Sequence, residues 1–328
     1  MAGLWIFVEQ RDGAIRKVSM ELLSGGRELA SALGEEMVAI LFGHQIGHMT
    51  QKLAKCADRV YAIDNPFFQY YSADSYGVSL ANMVREHDPS VLLGGSTFMG
   101  RDLFPWVAAS LSTGYAADCT DIAIREDNTL IVKRPMYGGK VLADVMFPEA
   151  RPGMATVRPN VFPLTSLEGG ANGEITHIEP NIDSSTIHTK VEKAEKRATG
   201  KADLTEADVV VAVGRGIKGP ENFRIIEELA EVINATVGTT RAVVDNQWRD
   251  HDDQIGKSGK IISPKLYMAF GISGAIHHTM GIDTSKVIVA VDKNPNALIF
   301  NYANYGIVGD LFQIIPALAA EFKKALSE

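Results

Sequence analysis

The feature that most constrains the fold is a repeated alternation of short, continuously apolar runs with amphipathic segments. Runs that are apolar throughout are typical of parallel strands covered on both faces, and the helices between them provide that cover. The first half of the chain has apolar runs at 4–9, 37–43, 59–64 and 91–96 and helix-like stretches at 18–33, 46–57, 72–87 and 102–112. This pattern predicts an α/β domain with a doubly wound, mostly parallel sheet.

The stretch from about residue 119 to residue 162 is richer in strands. The turn Tyr137-Gly138-Gly139 predicts a hairpin, and we expect these strands to extend the first sheet in antiparallel fashion. Residues 166–204 are polar and poor in apolar side chains, which is typical of a segment that connects domains. We therefore predict two domains, residues 1–200 and residues 201–328.

The α/β alternation restarts after this polar segment. Strand-like runs lie at 207–214, 236–244, 265–271, 286–292 and 305–310, with helices at 220–233 and at the C-terminus. The pattern predicts a second parallel-sheet domain, and most of the glycine-rich strand ends belong to it.

Composition argues against several classes of partner and site. The 328 residues carry a formal net charge of −8 with a pI near 5.6, which offers no broad attraction to nucleic acid or anionic lipid. No apolar run approaches the roughly 20 residues of a membrane span, and the N-terminus lacks a signal-peptide pattern. We therefore expect no membrane insertion and a cytoplasmic location. Cys56 and Cys119 have no other cysteine or histidine cluster near them in the sequence, which indicates buried thiols. This isolation argues against iron–sulfur and structural zinc sites.

The strand ends of the second domain are the expected ligand site, because open parallel sheets bind ligands at the carboxyl ends of their strands. The turn Gly214-Arg215-Gly216 lacks the dinucleotide fingerprint and is also consistent with a tight strand-to-helix turn. Asp292 ends a strand, where it can accept hydrogen bonds from ribose hydroxyls or cap the following turn. The loop "QIGKSGK" (254–260) can aim donors at a ligand or lie in solvent.

The stretch "GISGAIHH" (271–278) follows an apolar strand, so its middle residues are expected where a helix begins. Its glycines allow the backbone to approach a phosphate or a ring edge closely. Adjacent histidines on a helix point about 100° apart, and no third ligand lies within one turn, which argues against a metal site. We expect one of the two histidines to face a ligand. His44 and His48 lack the glutamate of a zinc-protease helix, and neither a P-loop nor a defensible Ser-His-Asp arrangement is present.

Five strand-end motifs, in order and spacing, carry a resemblance to a known family. They are "VGRGIKGPENF", "VGTTRAVVD", "QIGKSGKIISPKLYMAFGISGAIHH", "VIVAVDKNPNALIF" and "YGIVGDLFQIIP", supported in the first half by "GRDLFPWVAASL", "RPMYGGK" and "RPGMATVRPNVF". Together they closely resemble the α subunit of the electron transfer flavoproteins, the FixB-like family. The resemblance implies a heterodimer with a β subunit, and FAD held mainly by a C-terminal domain of the deoxyhypusine synthase-like FAD/NAD-binding type.

The resemblance also implies roles for individual residues in FAD binding. Arg215 would bind the pyrophosphate region, and Thr240 with Arg241 would lie against the flavin. The residues Ile255, Gly256, Lys257 and Ser258 would border the isoalloxazine, with the Ser258 hydroxyl at flavin N5. The residues Ser273, Gly274, Ala275, Ile276, His277 and His278 would wrap the cofactor, with His278 at the O2/N1 edge as the residue that tunes the potential. Asp292 would take the ribose, and Asp310 with Leu311 would border the adenine.

The implied activity is electron transfer by one-electron steps through an anionic semiquinone. In a respiratory setting, an acyl-CoA dehydrogenase would supply electrons and a quinone oxidoreductase would accept them. In a bifurcating setting, NADH electrons would be split between an acyl-CoA reductase and ferredoxin or flavodoxin. Two other classes stay open: a stand-alone nucleotide-dependent enzyme, and a non-catalytic adenosine-nucleotide binding module.

Two positions depart from the family pattern. Lys257 stands where many members carry glutamine, and an ammonium beside a flavin would raise its potential or instead turn outward to a partner. Asp292 stands where many members carry asparagine, which keeps a ribose acceptor but adds negative charge.

Overall fold

The chain divides into two compact units, Met1–Arg197 and Ala198–Glu328. The computed structural model describes residues 3–137, 139–165, 172–180, 182, 187–189, 191–194 and 203–327. Each unit contains a parallel β-sheet with apolar clusters of its own. The predicted fold class, α/β with two mostly parallel-sheet domains, is confirmed.

The first unit is a doubly wound sheet with helices on its faces. Its strands are β1 (Gly3–Val8), β2 (Gln10–Arg11), β3 (Ala14–Ile15), β4 (Glu36–Gly43), β5 (Arg59–Asp64), β6 (Val91–Gly95), β7 (Tyr115–Cys119), β8 (Asp121–Ile124), β9 (Leu130–Met136), β10 (Val141–Met146), β11 (Gly153–Val157) and β12 (Glu174–His177). Its helices are α1 (Lys17–Leu33), α2 (Gly47–Ala54), α3 (Ala73–His87) and α4 (Phe98–Leu111). The main sheet is parallel, in the order β12-β5-β4-β1-β6-β11-β7.

The prediction that the strands after residue 119 extend the first sheet in antiparallel fashion is wrong. β8, β9 and β10 form a separate antiparallel sheet, whereas β7 and β11 join the main sheet in parallel. The predicted hairpin does connect β9 to β10, with Met136 opposite Val141, although Gly138 lies outside the described residues. Parallel neighbours need a long crossover, and the excursion through β8–β10 provides it between β7 and β11.

Part of the polar segment of residues 166–204 forms a strand of the first sheet instead of connecting the two domains. β12 pairs in parallel with β5, and Arg59 lies 3.5 Å from Glu36 and 3.4 Å from Glu174. A polar strand can occupy the edge of a sheet because one of its sides faces solvent. Residues 166–171 and 195–202 of this segment lie outside the described residues.

The second unit carries another parallel sheet, in the order β15-β14-β13-β16-β17-β18. These strands are β13 (Val209–Val213), β14 (Thr236–Thr240), β15 (Gln254–Ile255), β16 (Leu266–Phe270), β17 (Val287–Asp292) and β18 (Tyr305–Val308). The helices are α5 (Phe223–Val232), α6 (Arg241–Asp245), α7 (Ile276–Thr279) and α8 (Leu311–Ala325). The strand order reverses between β13 and β16, which makes this the topological switch point of the sheet. Within the described residues, no helix has the length and apolar character needed to cross a bilayer.

At this switch point the backbones that leave β13 and β16 are in direct contact. A Cβ placed at Gly214 would lie 2.2 Å from the Gly271 carbonyl oxygen, and one at Gly216 would lie 2.7 Å from the Gly271 Cα. Gly216 N–H donates to that carbonyl at 3.3 Å. Gly271 has φ +59°, a conformation that favours glycine. Only residues without side chains allow the two strand ends to approach this closely.

We predict that Gly214→Ala lowers the free energy of unfolding by about 1–3 kcal/mol, because the added methyl group meets rigid backbone. Urea unfolding followed by circular dichroism measures this change. Gly47→Ala is the matched control, since a Cβ there meets nothing within 4 Å and alanine favours helix α2. Equal stability of the two variants would contradict the packing argument.

Candidate functional site

A cavity of about 730 Å³ opens at the carboxyl ends of the strands of the second unit. Its volume lies in the range of small-molecule and cofactor sites, and its position is where open parallel sheets bind ligands. The residues singled out from the sequence that line it are Arg215, Thr240, Arg241, Ile255, Lys257, Ser258, Ser273, Ala275, His277, His278 and Asp292. These residues end or follow β13, β14, β15, β16 and β17, so the parallel sheet brings distant parts of the chain to one edge.

Five residues singled out from the sequence do not line the cavity: Gly256, Gly274, Ile276, Asp310 and Leu311. A Cβ at Gly256 would lie 2.6 Å from the His277 carbonyl oxygen, and one at Gly274 would lie 2.1 Å from the Ile299 nitrogen. The two glycines therefore permit close packing between loops. Asp310 accepts a hydrogen bond from Phe312 N–H at 2.9 Å and caps α8, next to the buried Leu311.

Five lining residues were not assigned individually from the sequence: Gly216, Ala242, Asp245, Gly271 and Ile272. Asp245 lies four residues after Arg241 on α6, and their side chains form an ion pair at 3.4 Å. This spacing is a readable signal for an interacting pair on a helix. Ala242 and Ile272 are apolar residues within the quoted motifs, and nothing in their identity marks them as cavity-facing.

The loop of residues 254–260 is held in place by backbone hydrogen bonds. Gly256 N–H donates to the Lys260 carbonyl at 3.0 Å, and Lys260 N–H donates to the Gln254 carbonyl at 2.8 Å. Lys257 N–H donates to the His277 carbonyl at 2.7 Å, which ties this loop to the segment after β16. The loop is exposed at Lys257 and Ser258, and both of these residues line the cavity.

The charges at the cavity are mostly cationic and exposed. Arg215 and Lys257 form no ion pair within the described part of the chain, whereas Arg241 is paired with Asp245. Asp292 accepts a hydrogen bond from Asn294 N–H at 2.8 Å, so it caps a turn and also lines the cavity. The two unpaired cations make the cavity suited to an anionic ligand.

His278 is a buried, neutral base beneath the cavity, with 6% of its surface exposed. Its Nδ1 lies 3.2 Å from the Ile255 carbonyl, which can only accept, so Nδ1 carries the proton. Its Nε2 then accepts from the Tyr267 hydroxyl at 2.7 Å. Burial lowers the pKa of His278 to about 4. Its ring therefore has no free N–H in this arrangement, and direct donation to a ligand requires exchange of one of these two partners.

We predict that His278 makes stability depend on pH below neutrality. Its pKa of about 4 in the folded chain is below the value of about 6.5 in an unfolded chain, so the unfolded state binds the proton more tightly between these values. The free energy of unfolding then falls by about 2 kcal/mol more in the wild type than in His278→Gln between pH 7 and pH 5. Urea unfolding across this range measures the difference, and parallel curves would show that His278 is not buried and neutral.

Within the described residues, no group of three or more His, Cys, Asp or Glu side chains is placed to hold a metal ion. The lining instead offers cations, hydroxyl groups and apolar side chains. These are the groups that hold an anionic, partly aromatic organic molecule.

Comparison with known families assigns both halves of the chain. Residues 4–183 match the family described as "Electron transfer flavoprotein domain", and residues 203–283 match "Electron transfer flavoprotein FAD-binding domain". The second match contains most of the cavity-lining residues.

Similar proteins cover almost the full length of the chain. It is 44% identical over 322 residues to the electron transfer flavoprotein subunit alpha of Thermoanaerobacterium thermosaccharolyticum, covering 98% of each chain. It is 42% identical to the corresponding subunit of Clostridium acetobutylicum, covering 98% of this chain and 97% of the relative. It is 37% identical to the "Acryloyl-CoA reductase electron transfer subunit beta" of Anaerotignum propionicum, covering 98% and 95%. The chain belongs to the α-subunit family of the electron transfer flavoproteins, and its cofactor is FAD.

Proposed function

We propose that this chain binds FAD in the cavity of its second unit and, with a β subunit, carries electrons one at a time between a dehydrogenase and a second acceptor. The observation that carries the proposal is the cation-lined cavity at the strand ends, in the part of the chain that matches the FAD-binding family. The names of the relatives describe each as one subunit, which supports a complex with a β subunit.

The residues around the cavity suit the two chemically different ends of FAD. Arg215, beside the switch point, supplies positive charge for the pyrophosphate. Asp292 ends β17, and its carboxylate can accept hydrogen bonds from ribose hydroxyls. We further propose that Asp310 and Leu311, which lie at the start of α8, border the adenine. Neither residue lines the cavity.

The flavin end would lie near α6 and the loop of residues 254–260. Arg241 supplies a guanidinium, and Ile255 supplies apolar contact for a ring. FAD, when bound, supplies a ring system that takes up and releases electrons. An added electron brings negative charge, and exposed cations such as Lys257 stabilise that charge. His278, being neutral, contributes polarity and shape but no full charge.

The name of one relative supports a class of partner protein. A protein 37% identical to this chain is named as an electron transfer subunit of an acryloyl-CoA reductase. We therefore propose an acyl-CoA dehydrogenase or reductase as one partner. The further partner is a quinone oxidoreductase in the respiratory setting, and ferredoxin or flavodoxin in the bifurcating one.

Co-expression with the β subunit tests this function. We predict a yellow heterodimer whose FAD is counted by absorbance after release, with AMP measured in the same extract. Two FAD per heterodimer and reduction by NADH identify a bifurcating complex, whereas one FAD with AMP identifies a simple carrier. A colourless, monomeric, NAD-binding product would point to a stand-alone enzyme. Displacement of FAD by AMP or ADP during reconstitution would point to an adenosine-nucleotide module.

We predict that Lys257→Gln lowers the midpoint potential of the bound FAD by about 30–60 mV, since an ammonium near the ring favours the reduced, more negative states. Spectroelectrochemical titration measures the shift, and added salt should shrink it because Lys257 is exposed. Lys286→Gln, an exposed lysine outside the cavity lining, is the matched control. An unchanged potential would mean that Lys257 serves a partner protein instead.

A further inference from the structure

A buried glutamine lies next to residues that line the cavity, without lining it itself. Gln254 begins the short strand β15, opposite Thr239 of β14, and 2% of its surface is exposed. Its side chain crosses the loop of residues 254–260 and places Nε2 3.0 Å from the Ser258 carbonyl oxygen and 3.0 Å from the Ser258 hydroxyl. The hydroxyl group that Gln254 Nε2 reaches therefore belongs to a residue that lines the cavity.

The orientation of the Gln254 amide follows from its partners. A carbonyl oxygen only accepts hydrogen bonds, so the atom 3.0 Å from the Ser258 carbonyl must be the NH₂ group and not the amide oxygen. The same NH₂ group donates to the Ser258 hydroxyl oxygen, because an amide nitrogen does not accept.

This arrangement decides which way the Ser258 hydroxyl acts. A serine hydroxyl has one proton and two lone pairs, and one lone pair is occupied by Gln254. The structure places no acceptor for the Ser258 proton among the described residues. The proton is therefore left to donate into the cavity that Ser258 lines.

The loop is also built to keep these two residues together. Lys260 N–H donates to the Gln254 carbonyl at 2.8 Å, and a Cβ at Gly259 would lie 2.4 Å from that carbonyl oxygen. The loop therefore closes tightly on Gln254, and the amide has little freedom to turn away from Ser258.

We propose that Gln254 is a positioning residue that makes the Ser258 hydroxyl a hydrogen-bond donor to the bound cofactor. The inference rests on the proposed binding of FAD in this cavity. The acceptor it requires is an unprotonated nitrogen of a heteroaromatic ring. A ring nitrogen of this kind has a free lone pair in the oxidised flavin and carries a proton after full reduction. The oriented donor thus favours the oxidised state and lowers the two-electron potential.

The test uses the heterodimer with Gln254→Met, Ser258→Ala and the double variant. Methionine keeps the length of the glutamine side chain but cannot donate. We predict that Gln254→Met weakens binding of oxidised FAD by about three- to tenfold and raises the two-electron potential by about 15–30 mV, at 29.6 mV per tenfold change. In the Ser258→Ala background, the same change should alter binding less than twofold, because Gln254 acts through the hydroxyl.

Two further variants separate orientation from packing. Gln254→Glu at pH 8 keeps size and polarity but accepts rather than donates, so it should reproduce the loss seen with methionine. Gln313→Met, at an exposed glutamine of α8 outside the cavity lining, should change neither the binding of oxidised FAD nor the two-electron potential. Circular dichroism of each FAD-free variant checks folding.

The outcomes are distinguishable from those of the proposed function. Equal effects of Gln254→Met in both backgrounds, or none in either, would overturn the positioning role while leaving FAD binding intact. The placement of the cofactor would instead be refuted if the wild-type heterodimer held no FAD. It would also be refuted if neither Ser258→Ala nor Lys257→Gln changed the affinity for FAD or its potential.

Discussion

The direct backbone contact between Gly214 and Gly271 is the constraint on which the rest of the site depends. It brings together the ends of β13 and β16 at the point where the strand order of the second sheet reverses. Since all strands of this sheet run parallel, every carboxyl end then opens at the same edge. The cations, hydroxyl groups and apolar side chains that follow five strands therefore face one cavity, although they are separated by many residues in the chain.

The charged groups of the site lie at its surface, and the neutral groups that form hydrogen bonds within the protein lie deeper. Arg215 and Lys257 are exposed at the cavity surface, where they can meet an anionic cofactor. In the deeper layer, His278 and Gln254 are buried and neutral, and both ring nitrogens of His278 and the amide nitrogen of Gln254 contact partners within the protein. Burying charge in that layer would be costly, because a desolvated charge needs a full set of partners. The deeper layer can therefore orient the surface groups without adding charge of its own.

Much of the architecture could be predicted from the apolar runs and the strand-end motifs. The strands around residues 4–9, 37–43 and 91–96 lie where their continuous apolar character places them, because buried parallel strands need apolar side chains on both faces. It was harder to predict which strands pair with one another in a sheet. The strands β8, β9 and β10 were assigned to the wrong sheet, β11 was assigned to the right sheet in the wrong direction, and β12 lay unrecognised in a polar segment. A strand's own side chains do not specify its neighbour.

The fold class, the family and most of the residues at the cavity could be inferred from the sequence, because alternating apolar runs and strand-end motifs are local properties of the chain. Only the tertiary structure decided how these residues act. It showed His278 to be buried between Tyr267 and Ile255, Gly274 to serve packing, and the Gln254 amide to lie within hydrogen-bond distance of the Ser258 hydroxyl. Burial and hydrogen-bond direction depend on groups from other strands, and no local pattern contains that information.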